Sequence, residues 1–140
     1  MIKAMLLTPT GTPEVVEVKN DYRDIKRVLG IKSPVDVAYR KIGGEYFDIW
    51  IDDEGLFKEQ EDGTVLGCAY CENAQEMLSG KILIARSENE EMASLTDEDI
   101  VLIYENLKRI TKDVIVDYNT SIGLKRMKFV KSGIVLCYSV

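Results

Sequence analysis

Two alternating runs meet at a pair of glycines, and this constrains the fold more than any other feature of the 140-residue chain. Val35, Val37 and Tyr39 alternate with Asp36 and Arg40. Phe47, Ile49 and Ile51 alternate with Tyr46, Asp48 and Trp50. Side chains on a strand point to opposite faces in turn, so a period of two marks a strand with one buried face. Gly43-Gly44 supplies the positive φ angles of a two-residue hairpin turn. Residues 35–51 therefore read as an antiparallel hairpin, closed by Asp52-Asp53-Glu54-Gly55.

Other segments fit around it. Residues 2–8 form an apolar run, Thr10-Gly11-Thr12-Pro13 is turn chemistry, and Glu14 to Val18 alternates in part. These predict a second hairpin. Asn20 or Asp21 caps a short helix carrying Tyr22, Ile25, Val28 and Leu29 on one face, and Gly30 ends it. Ile82-Leu83-Ile84-Ala85 is uninterrupted apolar sequence and reads as a central strand. An acidic loop is expected at 87–93.

The clearest helix follows. Thr96 is a good N-cap and Leu95 a staple on Ile100. Asp97, Glu98 and Asp99 lie at the positive end of the helix dipole, and Lys108, Arg109 and Lys112 at its negative end. Ile100, Ile103, Tyr104, Leu107 and Ile110 make the apolar stripe. Three strands are expected after it, at Val114 to Tyr118, Leu124 to Val130 and Ile134 to Tyr138. Residues 56–71 read as a turn at Glu61-Asp62-Gly63 within a loop, and Asn73 to Leu78 as a short helix ended by Gly80.

The expected fold is α+β: a mixed or mainly antiparallel sheet packed by two main helices. One domain over 1–140 is expected, since a chain of this size hides roughly two-thirds of its unfolded surface. Its C-terminal part is a strand meander at 113–140.

Composition removes several chemistries. The chain has no histidine, which excludes the usual general base near neutral pH and the commonest metal ligand. It shows no P-loop, dinucleotide fingerprint or nucleophile elbow. An odd cysteine count with no export signal argues for a reducing compartment, the cytoplasm. No run reaches the roughly 20 apolar residues a membrane span needs. The net charge of −6 divides into +3 over 1–44, −14 over 45–105 and +5 over 106–140. Such a dipolar surface steers charged partners; solubility and internal pairing are the plainer explanation.

Four candidate sites remain. Asp48, Asp52, Asp53 and Glu54 offer the hard oxygens that Mg²⁺ or Ca²⁺ take, although Asp-Asp-Glu-Gly is also plain turn chemistry. Tyr46 and Trp50 share a strand face with Asp48 and suit a binding surface; cover by a helix is the favoured reading of that face. Lys125, Arg126 and Lys128, with Lys131, suit nucleic acid, or a solvated strand face guarded by lysine. Cys68-Ala69-Tyr70-Cys71 is a lone CxxC; with Cys137 it gives three of the four ligands a structural zinc wants.

Ile49-Trp50-Ile51-Asp52-Asp53-Glu54-Gly55-Leu56 is followed in order by Asn73, Gly80, the strand at 82–85 and Ser94-Leu95-Thr96-Asp97-Glu98-Asp99-Ile100. Together these resemble an uncharacterised bacterial and phage family, domain of unknown function 3846, over about residues 2–105. Ahead of Asn73 the chain departs from that pattern, having Tyr70-Cys71-Glu72 where a Leu-Pro-like approach is expected. The segment before the strand at 82–85 is shortened as well. The resemblance implies a setting on phages, plasmids and other mobile elements, and no chemistry. Asn73 is counted with Tyr46 and Trp50 as a candidate binding-surface residue.

The expectation is a non-enzymatic interaction module, accessory or counter-defence in role, with another protein as partner, no cofactor and no membrane. A homo-oligomer stays open. The alternatives are a metal-dependent hydrolase or nucleotide-binding enzyme built on the acidic turn, and a nucleic-acid binder built on the basic strand.

Overall fold

The apolar run that begins at Ile82 sits in the middle of an antiparallel sheet. The structure is a computed structural model. It describes residues 1–9, 13–55, 64–71, 76–108, 114–120, 123–130 and 135–136, with side chains for 1–9, 13–55, 67–69 and 77–107.

Strands β1 (Ile2–Leu7) and β2 (Glu14–Val18) form the first antiparallel hairpin. Helix α1 (Tyr22–Leu29) follows, with Asp21 accepting the Asp24 amide as N-cap and Gly30 in the left-handed conformation at its end. Strands β3 (Val35–Ile42) and β4 (Glu45–Asp52) form the second hairpin, with Gly43 and Gly44 at φ 58° and 93°. Both φ angles are positive, as a type I′ turn demands. Later come β5 (Thr64–Cys71), β6 (Glu76–Ser79), β7 (Ile82–Glu88), β8 (Glu91–Ala93) and α2 (Asp97–Glu105). Strands β9 (Leu107–Lys108), β10 (Val114–Thr120), β11 (Gly123–Val130) and β12 (Val135–Leu136) complete the described elements.

The first sheet runs β2-β1-β7-β4-β3, with β8 folded back on β7, and every pairing in it is antiparallel. The second runs β10-β11-β5-β12-β9, with β6 beside β5. It is mixed, since β11 and β12 both pair parallel to β5. The fold is thus α+β with a mostly antiparallel arrangement and two helices among the described residues.

Each face of the first sheet buries its own core. On one side Ala4, Leu6, Val18, Leu83 and Ala85 pack with Ile25 and Leu29 of α1. On the other, Met5, Phe47, Ile49, Ile82 and Ile84 pack with Leu95 just ahead of α2, with Ile103 of α2 and with Cys68, Ala69 and Leu78 of the second sheet. The consecutive residues Cys68 and Ala69 both reach this core because the β5–β6 register shifts between Gly67 and Ala69. A bulge of that kind breaks the strict alternation of faces.

Four expectations are corrected. Residues 64–71 form β5 rather than a loop. Residues 76–79 form β6 rather than the end of a short helix. The acidic stretch 87–93 is a tight hairpin, β7 turning through Asn89 and Glu90 (φ 52° and 67°) into β8. Helix α2 stops at Glu105, so Leu107 and Lys108 lie in β9 and are not its last turn. The stop has a cause. Asn106 donates its side-chain amide to the Leu102 carbonyl at 2.8 Å, and its own amide reaches Ile103 rather than continuing the helical ladder. Arg109, Ile110 and Lys112 lie outside the described residues.

Candidate functional site

Helix α1 has eight residues, a length of about 12 Å, and cannot cover the whole face on which it lies. The β3–β4 register fixes what that face carries. Val35, Val37, Tyr39 and Lys41 stand opposite Asp52, Trp50, Asp48 and Tyr46. The helix covers the Val35–Trp50 end. There Tyr22 meets Trp50 edge to face, with ring centroids 5.8 Å apart. Tyr22 is not a core residue of α1, as the helical pattern had it; it stays exposed and walls a groove of about 370 Å³. Lys26, Pro34, Val35, Asp36, Val37 and Trp50 line the rest. The Trp50 Nε1 is buried with no acceptor among the described residues.

The other end of the face is open. Tyr39 and Tyr46 stack at 4.8 Å and 13° and remain 57% and 51% exposed. Lys41 holds its ammonium 5.8 Å from the Tyr46 ring centre. Opposite Tyr39 lies half-buried Asp48, paired on its other side with Ala85 of β7. Burial raises the Asp48 pKa, and a hydrogen bond from Ser87 opposes that rise. Cover by a helix therefore holds for Trp50 and fails for Tyr46. The helix ends before it reaches the second aromatic residue.

The carboxylates do not form one cluster. Asp52 is buried and accepts from the Ser33 hydroxyl at 2.6 Å and from the Glu54 amide at 3.0 Å. It shapes the end of β4, while Asp53 and Glu54 point into solvent. Asp48 shares its face but sits four residues away, about 13 Å along an extended strand. Among the described residues no three His, Cys, Asp or Glu side chains gather closely enough to hold a metal ion.

Of the thiols, Cys68 is buried and its pKa is pushed up to about 12, by burial first, against a backbone hydrogen bond at Ile82. A thiol so raised is neither a nucleophile nor a ready metal ligand at neutral pH. Cys71 ends β5, and its side chain is outside the described residues, as is Cys137. Lys125, Arg126 and Lys128 lie on β11 opposite Tyr118, Asp117 and Ile115, with side chains outside the described residues. Asn73 and Lys131 lie outside them altogether.

What the structure brings together is Tyr39, Tyr46, Asp48 and Lys41 on the open half-face, beside the Tyr22–Trp50 groove. Tyr39, Lys41 and Tyr22 were not singled out by motif. The signal for the first two was the glycine turn, which sets Tyr39 across from Asp48 and Lys41 across from Tyr46.

The protein is thus α+β, with a first antiparallel sheet that carries a helix on half of one face. Residues 2–108 match the family model described as Domain of unknown function (DUF3846), and the chain belongs to that family. No curated protein and no solved structure matches the chain.

Proposed function

We propose that this chain is a non-enzymatic binding module that holds another protein against the open half-face of its central sheet. The Tyr39–Tyr46 stack carries the reading. Two large aromatic side chains stack on each other, stay more than half exposed, and share a face with a lysine and a half-buried carboxylate. Tyrosine gives large contact area with a polar tip at low cost in side-chain entropy, and interfaces are enriched in it. The groove beside the stack gives a partner side chain a place to insert. The finer setting, an accessory or counter-defence protein of a bacterial mobile element acting in the cytoplasm, belongs to the proposal and rests on the family alone.

Affinity capture from a phage- or plasmid-bearing bacterial host tests it. Wild type, the Tyr39→Ala/Tyr46→Ala double variant and a Val101→Ala control on the far helix are compared by mass spectrometry. A protein retained by wild type and by the control, and lost with the tyrosines, supports the reading. Capture that is indifferent to both tyrosines sinks it.

A further inference from the structure

We infer that the partner segment received by the open half-face and the groove beside it is proline-rich and lies across them as a polyproline II helix. This rests on the proposed function and names the partner's chemistry.

The face carries two aromatic stations. Tyr22 and Trp50 wall the groove, and Tyr39 and Tyr46 stack beyond it as a shelf. Tyr22, Tyr39 and Tyr46 are 67%, 57% and 51% exposed, so a ligand reaches all three rings. The β3–β4 register sets the spacing. Trp50 stands in the row of Val37, Tyr39 one row nearer the turn, and Tyr46 one row beyond that. Rows on one face are two residues apart, about 6.7 Å, so the middle of the tyrosine stack lies about 10 Å from the Trp50 row. A polyproline II helix repeats every three residues, about 9 Å. Prolines three positions apart therefore meet both stations from one side of a straight helix.

Hydrogen-bonding capacity selects the same ligand. Among the described residues the hydroxyls of Tyr22, Tyr39 and Tyr46 make no hydrogen bond, and the ammonium groups of Lys26 and Lys41 make no ion pair. The two carboxylates that border this surface are engaged. Asp36 accepts the Val37 amide at 2.8 Å, and Asp48 accepts from Ser87. The surface is thus rich in free donors.

A helical segment offers such a surface little, because its carbonyls are bonded within the helix. An extended strand brings N–H groups as well as carbonyls and needs a sheet edge to satisfy both. A proline-rich segment brings carbonyls alone, since proline has no N–H and the polyproline II helix has no internal bonds. Its apolar rings suit aromatic walls, and its preformed shape loses little entropy on docking. Half-buried Lys26, at the groove, turns away a cationic side chain. Trp50 contributes its ring alone, because its Nε1 is buried.

Titration of the purified full chain with decaproline tests this without a host. The readouts are anisotropy of a fluorescein-labelled peptide and, with the unlabelled peptide, the emission of Trp50, which is the only tryptophan in the chain. Decaproline is expected to bind and to shift that emission. A glycine–serine peptide of equal length, which has N–H groups and no preformed helix, is expected to do neither. Tyr22→Ala, Tyr39→Ala and Tyr46→Ala should each weaken binding about fivefold or more, and Val101→Ala should leave it unchanged. Tyr22→Phe and Tyr39→Phe keep the ring, lose the donor and should weaken it about threefold. Circular dichroism checks that each variant is folded. Absence of decaproline binding at millimolar concentration overturns the inference. So does binding that is indifferent to the tyrosines, unchanged in the phenylalanine variants or matched by the glycine–serine peptide.

The host capture tells this failure from that of the proposed function. A captured protein that is lost with the tyrosines but not displaced by decaproline removes this inference and leaves the proposed function standing. Decaproline binding, with capture indifferent to the tyrosines, does the reverse.

Discussion

Arg86 on β7 grips Asp99 in the first turn of α2 with two parallel hydrogen bonds, Nε to Oδ2 and Nη2 to Oδ1, each 2.6 Å. The Asp99 side chain is only 4% exposed. Its Oδ2 also accepts the Thr96 amide at 2.8 Å, while the Thr96 hydroxyl accepts the Asp99 amide at 3.1 Å. One carboxylate therefore closes the capping box and ties the helix to the central strand. The guanidinium lies 5.2 Å from the centre of the Phe47 ring, within reach of a cation–π contact.

Removing Arg86 leaves a buried carboxylate without its counter-charge. Arg86→Met should cost about 3 kcal/mol in denaturant unfolding, and Asp99→Asn somewhat less, because the part-exposed Arg86 keeps Glu45 at 3.6 Å. Thr96→Ala removes only a cap and should cost about 1 kcal/mol. A loss for Arg86→Met no larger than for Thr96→Ala would show the pair to be a surface decoration.

The same pair sets an acid limit. The Arg86 hydrogen bond, ahead of the opposing effect of burial, holds the Asp99 pKa below its ordinary value. A carboxylate with a lowered folded pKa adds stability that is full above its unfolded pKa, about 4, and fades as pH falls through the folded one. Wild type should therefore lose stability below about pH 4 more steeply than Asp99→Asn. Asp24, also lowered, by its hydrogen bond to Arg27, titrates in the same direction in both proteins, so the difference between the two curves isolates Asp99. Parallel curves would refute the linkage.

The Gly43-Gly44 turn makes a third prediction. Both residues have positive φ, and a side chain at either is strained. Only at Gly43 would a Cβ also collide, at 2.5 Å from Leu102 Cδ1 and 2.8 Å from Asn106 Nδ2. At Gly44 nothing lies within 4 Å. Gly44→Ala should cost about 1 kcal/mol and Gly43→Ala clearly more, since it also pushes the hairpin off α2. Equal melting temperatures for the two variants would mean that the turn does not bear on the helix.

Cys68 should be inert in the folded protein. Its thiol is buried, and its pKa of about 12 leaves almost no thiolate at neutral pH. Iodoacetamide labelling of native protein, mapped by mass spectrometry, should leave Cys68 unmodified, and denaturation should expose it. Rapid native labelling at Cys68 would contradict the packing of β5 against the core.

Much of the first sheet was legible because its residues obey local rules. The glycine turn set the β3–β4 register, Ile82–Ala85 announced the centre, and Thr96 marked the start of α2. Strands β5 and β6 were not legible. Gly67 and the bulge after it break the alternation, and Glu76–Ser79 is too short to show a period. Gly67 is there for Met77, whose sulfur would lie 2.5 Å from a Cβ, and no local pattern reports such a contact. The end of α2 was missed because the apolar stripe runs on into β9, where Leu107 pairs with Leu136. Of the candidate site, the even positions of β4 were visible as a face. The failure of α1 to cover Tyr46 was not, since it depends on how an eight-residue helix is placed.

Asp48 gives the open half-face its own signature. Burial raises its pKa, so at neutral pH its charge opposes folding rather than supporting it. The sign is opposite to that of Asp99. Lowering the pH through the folded pKa of Asp48 relieves the penalty, and the gain continues to the unfolded pKa near 4. Asp48→Asn should therefore be more stable than wild type at pH 7, with an advantage that shrinks as pH falls toward that value. Ser87→Ala removes the hydrogen bond that opposes the rise and should widen the same advantage. Thermal melts of the three proteins across pH 4 to 7 decide it. An Asp48→Asn variant less stable than wild type at neutral pH would mean that the carboxylate is held by stronger partners than Ser87, and that the shelf beside Tyr39 is organised around its charge.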